Sequence, residues 1–182
     1  MTMPGMGRVG LATAQPAAAN LVNPDSHFRT VAAAAPQSFQ TLVASQALFY
    51  RLDTLLVART VAKLFFRVAA SSGNYDMGVY SSDGTTLTRL GSMGSTVVPV
   101  TGLVTATPSA PITQAAGVVH YVGFVCNNAT ASFLAHIAGV GDLYAVGREG
   151  GTLAASFPLP ATVTLSALAN ASYTVALSGG PT

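Results

Sequence analysis

Charge is what this sequence has least of. Its 182 residues carry eight Lys or Arg and six Asp or Glu, 8% of the chain, where an ordinary soluble domain is about 25% charged. A compact monomer of this length would expose roughly 8,000 Å², so each charge would serve about 600 Å². Either another device keeps the protein in solution or much of its surface does not face water. A formal net charge of +2 excludes the broad basic face of a nucleic-acid binder. There is no Trp, and the single Cys126 excludes a disulfide within the chain and reads as a small buried apolar residue. Long apolar runs are also missing: the stretch from Leu42 to Ala70 is broken by Arg51, Asp53, Arg59, Lys63 and Arg67, short of the ~18 residues a spanning helix needs. Membrane insertion is therefore not expected. Residues 1–20 hold one Arg8, with Pro4 and Gly5 where an apolar stretch would begin, and do not read as a signal peptide.

Half of the chain is hydrophobic, and 18 Gly and 10 Pro punctuate it. Residues 1–36 are rich in Ala, Gly, Pro, Asn and Gln without a period of two or 3.6, the texture of an extended arm. From Ser45 the pattern changes. Ala62, Leu64, Phe66 and Val68 alternate with Lys63, Phe65 and Arg67; Tyr75, Met77 and Val79 alternate with Asp76, Gly78 and Tyr80. Ser82-Asp83-Gly84-Thr85 then supplies an Asp-Gly turn before Leu87 to Leu90, which predicts a β-hairpin. Val118 to Cys126 is apolar on both faces, so that strand belongs between two layers or at a subunit interface. Asn127-Asn128-Ala129 turns it into Thr130 to Ile137, and residues 163–177 predict a second hairpin around Ala169-Asn170-Ala171. About eight or nine strands at this spacing predict an all-β, jelly-roll-like β-sandwich over residues 46–182 with an extended N-terminal arm over residues 1–45. Residues 41–58 stay open between strand and helix, because Leu48, Leu52, Leu55 and Leu56 also fall at helical spacing.

Motifs of chemistry are few. Gly5-Met6-Gly7-Arg8-Val9-Gly10 spells a dinucleotide fingerprint, but four residues cannot form the strand that must precede it, and Pro16 interrupts the helix that must follow. His120 and His136 fall on neighbouring strand candidates, with Asp142 and Glu149 beyond and His27 in the arm; no metal-ligand spacing links them. No nucleophile elbow is present. Asp76 and Asp83 flank the hairpin, where Asp83 reads as the turn residue and Asp76 as the solvent side of a strand. Asn128-Ala129-Thr130 and Asn170-Ala171-Ser172 read as turns, and Pro108-Ser109-Ala110-Pro111 as a strand boundary. Among the tyrosines, Tyr75 and Tyr121 fall on core faces, leaving Tyr80 and Tyr144 as candidates for contact with a glycan. No enzyme, metal or cofactor is expected from this set.

The succession Lys63-Leu64-Phe65-Phe66-Arg67-Val68, then Ser72-Gly73-Asn74-Tyr75-Asp76-Met77-Gly78-Val79-Tyr80 with Asp83-Gly84-Thr85, then Leu90-Gly91-Ser92, resembles small β-sandwich proteins from tailed phages of actinobacteria. His120-Tyr121-Val122-Gly123-Phe124 followed by Asn127-Asn128-Ala129-Thr130-Ala131 is similar to the same family's strand and turn pattern. The resemblance covers about residues 60–135. It implies a virion surface protein, as a capsid decoration, head fibre or tail appendage, assembled in the bacterial cytoplasm, with a homotrimer and the major capsid or tail proteins as partners. It supplies no catalytic residues. On this reading Leu21, Val22 and Phe28 of the arm, with Phe65 and Val119 of the sandwich, are the expected interface residues, and holding such a protein on a particle takes an interface of about 1,600 Å² or more. The alternative is a module that recognises a host-surface carbohydrate through Tyr80 and Tyr144.

Overall fold

The computed structural model describes residues 28–29, 38–52, 54–137, 150–170 and 173–181. Its strands are β1 (Phe28–Arg29), β2 (Ser38–Thr41), β3 (Ala47–Arg51), β4 (Arg59–Val61), β5 (Lys63–Ala70) and β6 (Asn74–Ser82). They continue with β7 (Thr86–Ser92), β8 (Thr96–Val97), β9 (Gly102–Ala106), β10 (Ile112–Gln114), β11 (Val119–Cys126) and β12 (Ser132–Ile137). The last are β13 (Gly150–Leu153), β14 (Thr162–Thr164), β15 (Ala169–Asn170), β16 (Tyr173–Val175) and β17 (Ser178–Gly180), with a 3-10 turn at Leu165–Ala167. The fold is all-β and sandwich-like, as the alternation predicts. No helix among the described residues is long and apolar enough to cross a membrane.

Two antiparallel sheets form the layers. In the first, β5 pairs with β9 on one side and with β17 and β12 on the other; β12 pairs in turn with β2 and β16, and β17 with β1. The second runs β14-β7-β6-β11-β3-β13-β15, with β8 beside β6. A ribbon of β4 and β10 is separate. The core between the sheets collects alternate residues of each strand: Leu64, Phe66 and Val68 from β5 and Phe133 from β12 meet Tyr75, Met77 and Val79 from β6 and Val122, Phe124 and Cys126 from β11. Its centre is aromatic. Phe66 lies 4.7 Å from Tyr75 and 5.4 Å from Phe124 between ring centroids, and Phe124 lies 5.0 Å from Phe133, so rings of both layers interlock edge to face. Cys126 is buried there.

The turns follow from local chemistry. Asp83 Oδ1 accepts the N–H groups of Thr85 at 2.8 Å and Thr86 at 2.7 Å, while Gly84 takes the positive φ of +95° that closes the β6–β7 hairpin. Asn127 and Asn128 do something other than make a hairpin, because β11 and β12 belong to different sheets. Asn127 Oδ1 accepts the Asn74 N–H at 2.7 Å and Asn128 Oδ1 accepts the Thr130 N–H at 2.7 Å, which carries the chain from one layer to the other. Gly73 is required beneath this arch: its φ is +67°, and a Cβ there would lie 2.5 Å from Asn127 and Asn128 atoms.

A second core lies on the far face of the second sheet. Phe49, Tyr80, Leu87, Tyr121 and Val125 point there and are covered by Leu159 and Val163, with Leu153, Phe157, Leu165 and Leu168 packed around them. The covering segment leaves β13 at one end of the sheet, reaches β14 at the other, and returns to β15 beside β13. Six strand spacings span about 29 Å if flat, whereas the five residues from Thr164 to Ala169 reach at most about 18 Å. The sheet therefore curls around this strap. Small residues make room for it. Gly78, Gly123 and Gly151 stand on adjacent register lines of β6, β11 and β13, with Phe49 between the last two. A Cβ at Gly123 would lie 3.0 to 3.2 Å from Tyr80, Phe49 and Leu159, and one at Gly151 2.5 Å from Leu168.

Several expectations change. Residues 41–58 hold strand β3 and no helix; Leu48, Tyr50 and Leu52 enter the first core, and Ala47 and Phe49 the second. The sandwich does not begin at residue 46. Strand β2 pairs with β12, β1 pairs with β17, and Leu42 is buried in the first core, so parts of the expected arm complete the first sheet. Residues 163–177 form no hairpin, since β14 pairs with β7 in the second sheet and β16 with β12 in the first. The two-faced β11 lies between two layers, the first of the positions its sequence allows. Because Gly123 sits against three rigid neighbours, Gly123→Val is expected to destabilise the fold by about 1–3 kcal/mol, read as a lower urea midpoint at unchanged slope.

Candidate functional site

The densest buried polar cluster lies where the strap crosses β6 and β7. Strand alternation turns Asp76 and Tyr80 toward the second core. A bulge opposite Val79 and Tyr80, where the register passes from Gly91 to Arg89, brings Arg89 opposite Tyr80 and onto the same face. Three side chains then hold two consecutive strap residues, and a backbone bond holds the third. Asp76 Oδ2 accepts the Leu159 N–H at 3.0 Å, the Arg89 guanidinium donates to the Leu159 carbonyl, and the Tyr80 hydroxyl donates to the Pro160 carbonyl at 2.7 Å. The Arg89 N–H adds a bond to the Ala161 carbonyl at 2.8 Å. Gly78 lies between Asp76 and Tyr80 on the same strand, where a Cβ would lie 2.7 Å from the Gly91 carbonyl oxygen and 2.8 Å from Ser92 Cβ of β7.

Electrostatics at Asp76 favour the neutral acid. Burial raises its carboxyl above the usual carboxylate range, and it outweighs the Leu159 N–H, the Ser92 hydroxyl, the Arg89 charge and the Gly94 N–H, each of which favours ionisation. Oδ1 has no hydrogen-bond partner among the described residues. Burial also raises the Tyr80 hydroxyl, against the lowering influence of Arg89. Tyr75 is pushed up to about 12 by burial and by the Asp76 charge. Acid–base catalysis needs a group that substrate can reach, whereas Asp76 and Tyr80 are closed beneath the strap. Their arrangement holds backbone. It offers no open site to a substrate.

The sequence-predicted residues do not converge. Tyr80 is fully buried in the second core and cannot present a ring to a sugar, a correction that follows from the strap covering the face that alternation leaves open to solvent. Asp76, expected on the solvent side, is buried for the same reason. Asp83 sits at the hairpin tip, seven residues or about 23 Å of extended chain away, too far to form a catalytic carboxylate pair. Phe65 is buried within the chain, so its ring has little to give a partner. Val119 is half-buried against the second core. Leu21, Val22 and Tyr144 lie outside the described residues, as does the side chain of Phe28, whose backbone forms β1.

His120 is buried, neither ring nitrogen has a hydrogen-bond partner among the described residues, and burial lowers its pKa against a smaller raising influence of the Val118 backbone. The strands of His120 and His136 lie in different sheets, and the side chain of His136 is outside the described residues. Among the described residues, no three His, Cys, Asp or Glu gather as metal ligands would. Alternation missed a set of exposed aliphatic side chains: Leu56 (96%), Val100 (82%), Val57 (70%) and Val97 (69%). Their one sequence signal is position: Val97 and Val100 flank Val98-Pro99, and Leu56 and Val57 fall in the loop between β3 and β4. The sequence matches no protein-family model and no curated protein.

The raised Asp76 carboxyl sets a sign for stability against pH. Its proton is bound more tightly in the folded chain than in the unfolded one, so its contribution is fully present below the unfolded-state value of about 3.9. That contribution is lost as pH rises through the higher folded-state value. Asp76→Asn keeps an acceptor for the Leu159 N–H and removes the buried charge. It is expected to raise the thermal midpoint at pH 7.5 and to flatten its rise on acidification, measured by calorimetry from pH 4 to 8.

Proposed function

We propose that the chain is a structural virion surface protein of a tailed bacteriophage, which decorates the capsid or forms a head or tail appendage. It is attached through its N-terminal segment and is a homotrimer. The observation that carries this reading is the exposed aliphatic set on a chain with so few charges. Leu56, Val57, Val97 and Val100 project into solvent, and a free monomer has no use for them, since single apolar residues are tolerated on a surface but a charge-poor surface adds nothing to keep copies apart. A particle component is different: it meets its neighbours at high local concentration and covers such residues on assembly.

Two further points support the reading. The residues that resemble phage β-sandwich proteins make the β5, β6–β7 and β11 framework, and N-terminal residues already supply strands β1 and β2 to the first sheet. Of the two residues on which the carbohydrate-binding alternative rests, Tyr80 is buried and Tyr144 lies outside the described residues, so the exposed aliphatic set favours the virion reading.

The test is occupancy on the particle. Replacing Leu21 and Phe28 together with Asp is expected to abolish co-sedimentation with purified phage particles, while far-ultraviolet circular dichroism of the free protein keeps its β signature. Wild-type occupancy by that double variant would remove the docking role from the N-terminal segment.

A further inference from the structure

The two sheets treat their edges differently. The second sheet ends in β14 and β15, three and two residues long, and curls until the chain passes between them in five residues. Its edges are thereby drawn together around the strap. The first sheet has no such closure. Among the described residues, β9 pairs only with β5, and β2 pairs only with β12, on the side of β12 away from β5 and β16. They are the opposite edges of one sheet. Among the described residues each lacks a partner for its outer backbone N–H and C=O groups, and neither Gly102-Leu103-Val104-Thr105-Ala106 nor Ser38-Phe39-Gln40-Thr41 carries the charge or proline that usually guards an edge.

We infer that these edges pair with each other between copies, β2 of one chain against β9 of the next, so that the first sheet continues from subunit to subunit. The deepened reading rests on the proposal that the protein is an oligomer, and it names the contact. An open strand edge is satisfied only by another extended strand. A second copy supplies one with matching direction: β9 is antiparallel to β5, β5 to β12 and β12 to β2, so β2 and β9 run in opposite directions. In a ring whose axis follows the strands, β2 therefore meets the neighbouring β9 antiparallel, like every other pairing in the molecule. The side chains agree. Phe39 lies across from Leu134 and Leu103 across from Arg67, while Gln40 and Val104 lie across from the core residues Phe133 and Phe66. Phe39 (45% exposed) and Leu103 (53%) thus share the face turned away from the core and come together at the seam. Pairing of β9 with β9 would leave β2 unguarded, whereas one head-to-tail contact covers both edges, and such contacts close into rings.

The full chain is used for the test. Light scattering of the wild type is expected to give a closed oligomer of fixed mass, and Leu103→Lys and Phe39→Lys are each expected to shift it to monomer at the same concentration. Both positions are exposed, so the fold should survive, which circular dichroism checks. Thr41→Cys with Thr101→Cys in one chain, which the Phe39–Leu103 register sets opposite each other, should give a covalent ladder ending at the ring when treated with a short bis-maleimide; Thr105→Cys alone, the probe for β9 against β9, should give none. Cys126 is buried and stays unmodified. A monomeric wild type, a covalent dimer from Thr105→Cys alone, or an unchanged oligomer in both Lys variants would each overturn the edge contact. The last result leaves the virion proposal standing, whereas failure of the wild-type chain to bind particles removes the virion proposal and leaves a ring measured in free protein intact.

Discussion

Burial of the second sheet on both faces is the constraint on which the rest of the molecule depends. Strand residues alternate between faces, so a sheet with one wet face needs apolar side chains at every second position only. Once the strap covers the far face, each residue in the middle of β6, β11 and β3 must be apolar, small or hydrogen-bonded. That is the composition of their middles: Tyr75 to Tyr80 in β6 and Tyr121 to Cys126 in β11 are buried without a gap, and only His120 near the start of β11 is buried with no partner for its ring nitrogens among the described residues. The energetics are close. Burying Phe49, Tyr80, Leu87, Val125, Leu159 and Val163 is worth about 12 kcal/mol at ~2 kcal/mol each. Ordering the eight residues 154–161 costs about 12 kcal/mol at ~1.5 kcal/mol each. Apolar burial and chain entropy nearly cancel, so the polar clamp decides whether the strap stays down.

This explains why an aspartate persists where burial opposes its charge. The Leu159 N–H is enclosed by the strap, and without an acceptor it would cost about 1–3 kcal/mol. An apolar residue at position 76 would leave that donor orphaned. The acceptor is what the fold needs, and the negative charge is an accompaniment that Arg89 partly offsets. Arg89 in turn reaches the site only because the β7 bulge shifts its register. A single irregularity in one strand thus places the cation, the cation holds the Leu159 carbonyl, and the strap closes the second core.

What the sequence revealed follows the same division. Strand β5, the β6–β7 hairpin with Asp83 at its turn, and the two-faced character of β11 were legible, because each rests on alternation or turn chemistry within about ten residues. The position of Asp76 and Tyr80 was not. Alternation separates two faces but does not say which of them meets solvent, and the cover comes from residues 154–168, some eighty positions away. Residues 41–58 stayed open for another reason: Leu48 and Leu52 satisfy helical spacing as well as the period of two that also includes Tyr50, and pairing of β3 with β11 and β13 selects the strand. The C-terminal strands looked like a hairpin because they are near in sequence and alternating. Their partners on β7 and β12 are 74 to 78 and 36 to 40 residues away.

The low charge of the chain acquires a sharper meaning in this light. Composition alone leaves two explanations, an interior larger than usual or a surface covered by partners. The second core supplies part of the first, since a three-layered molecule of strap and two sheets hides side chains that a two-layered one would have to make polar. It does not account for Leu56, Val57, Val97, Val100 and Leu103, which no layer covers. Double burial therefore consumes the apolar residues of the second sheet and leaves an apolar remainder concentrated in the loop before β4 and in the segment leading into β9. Among the described residues, the first sheet, unlike the second, shows no strap and no curl that closes its edges. The apolar remainder is not confined to one layer: Leu103 lies on β9 of the first sheet, Val97 on β8 beside β6 of the second, and Leu56 and Val57 in the loop between β3 and β4.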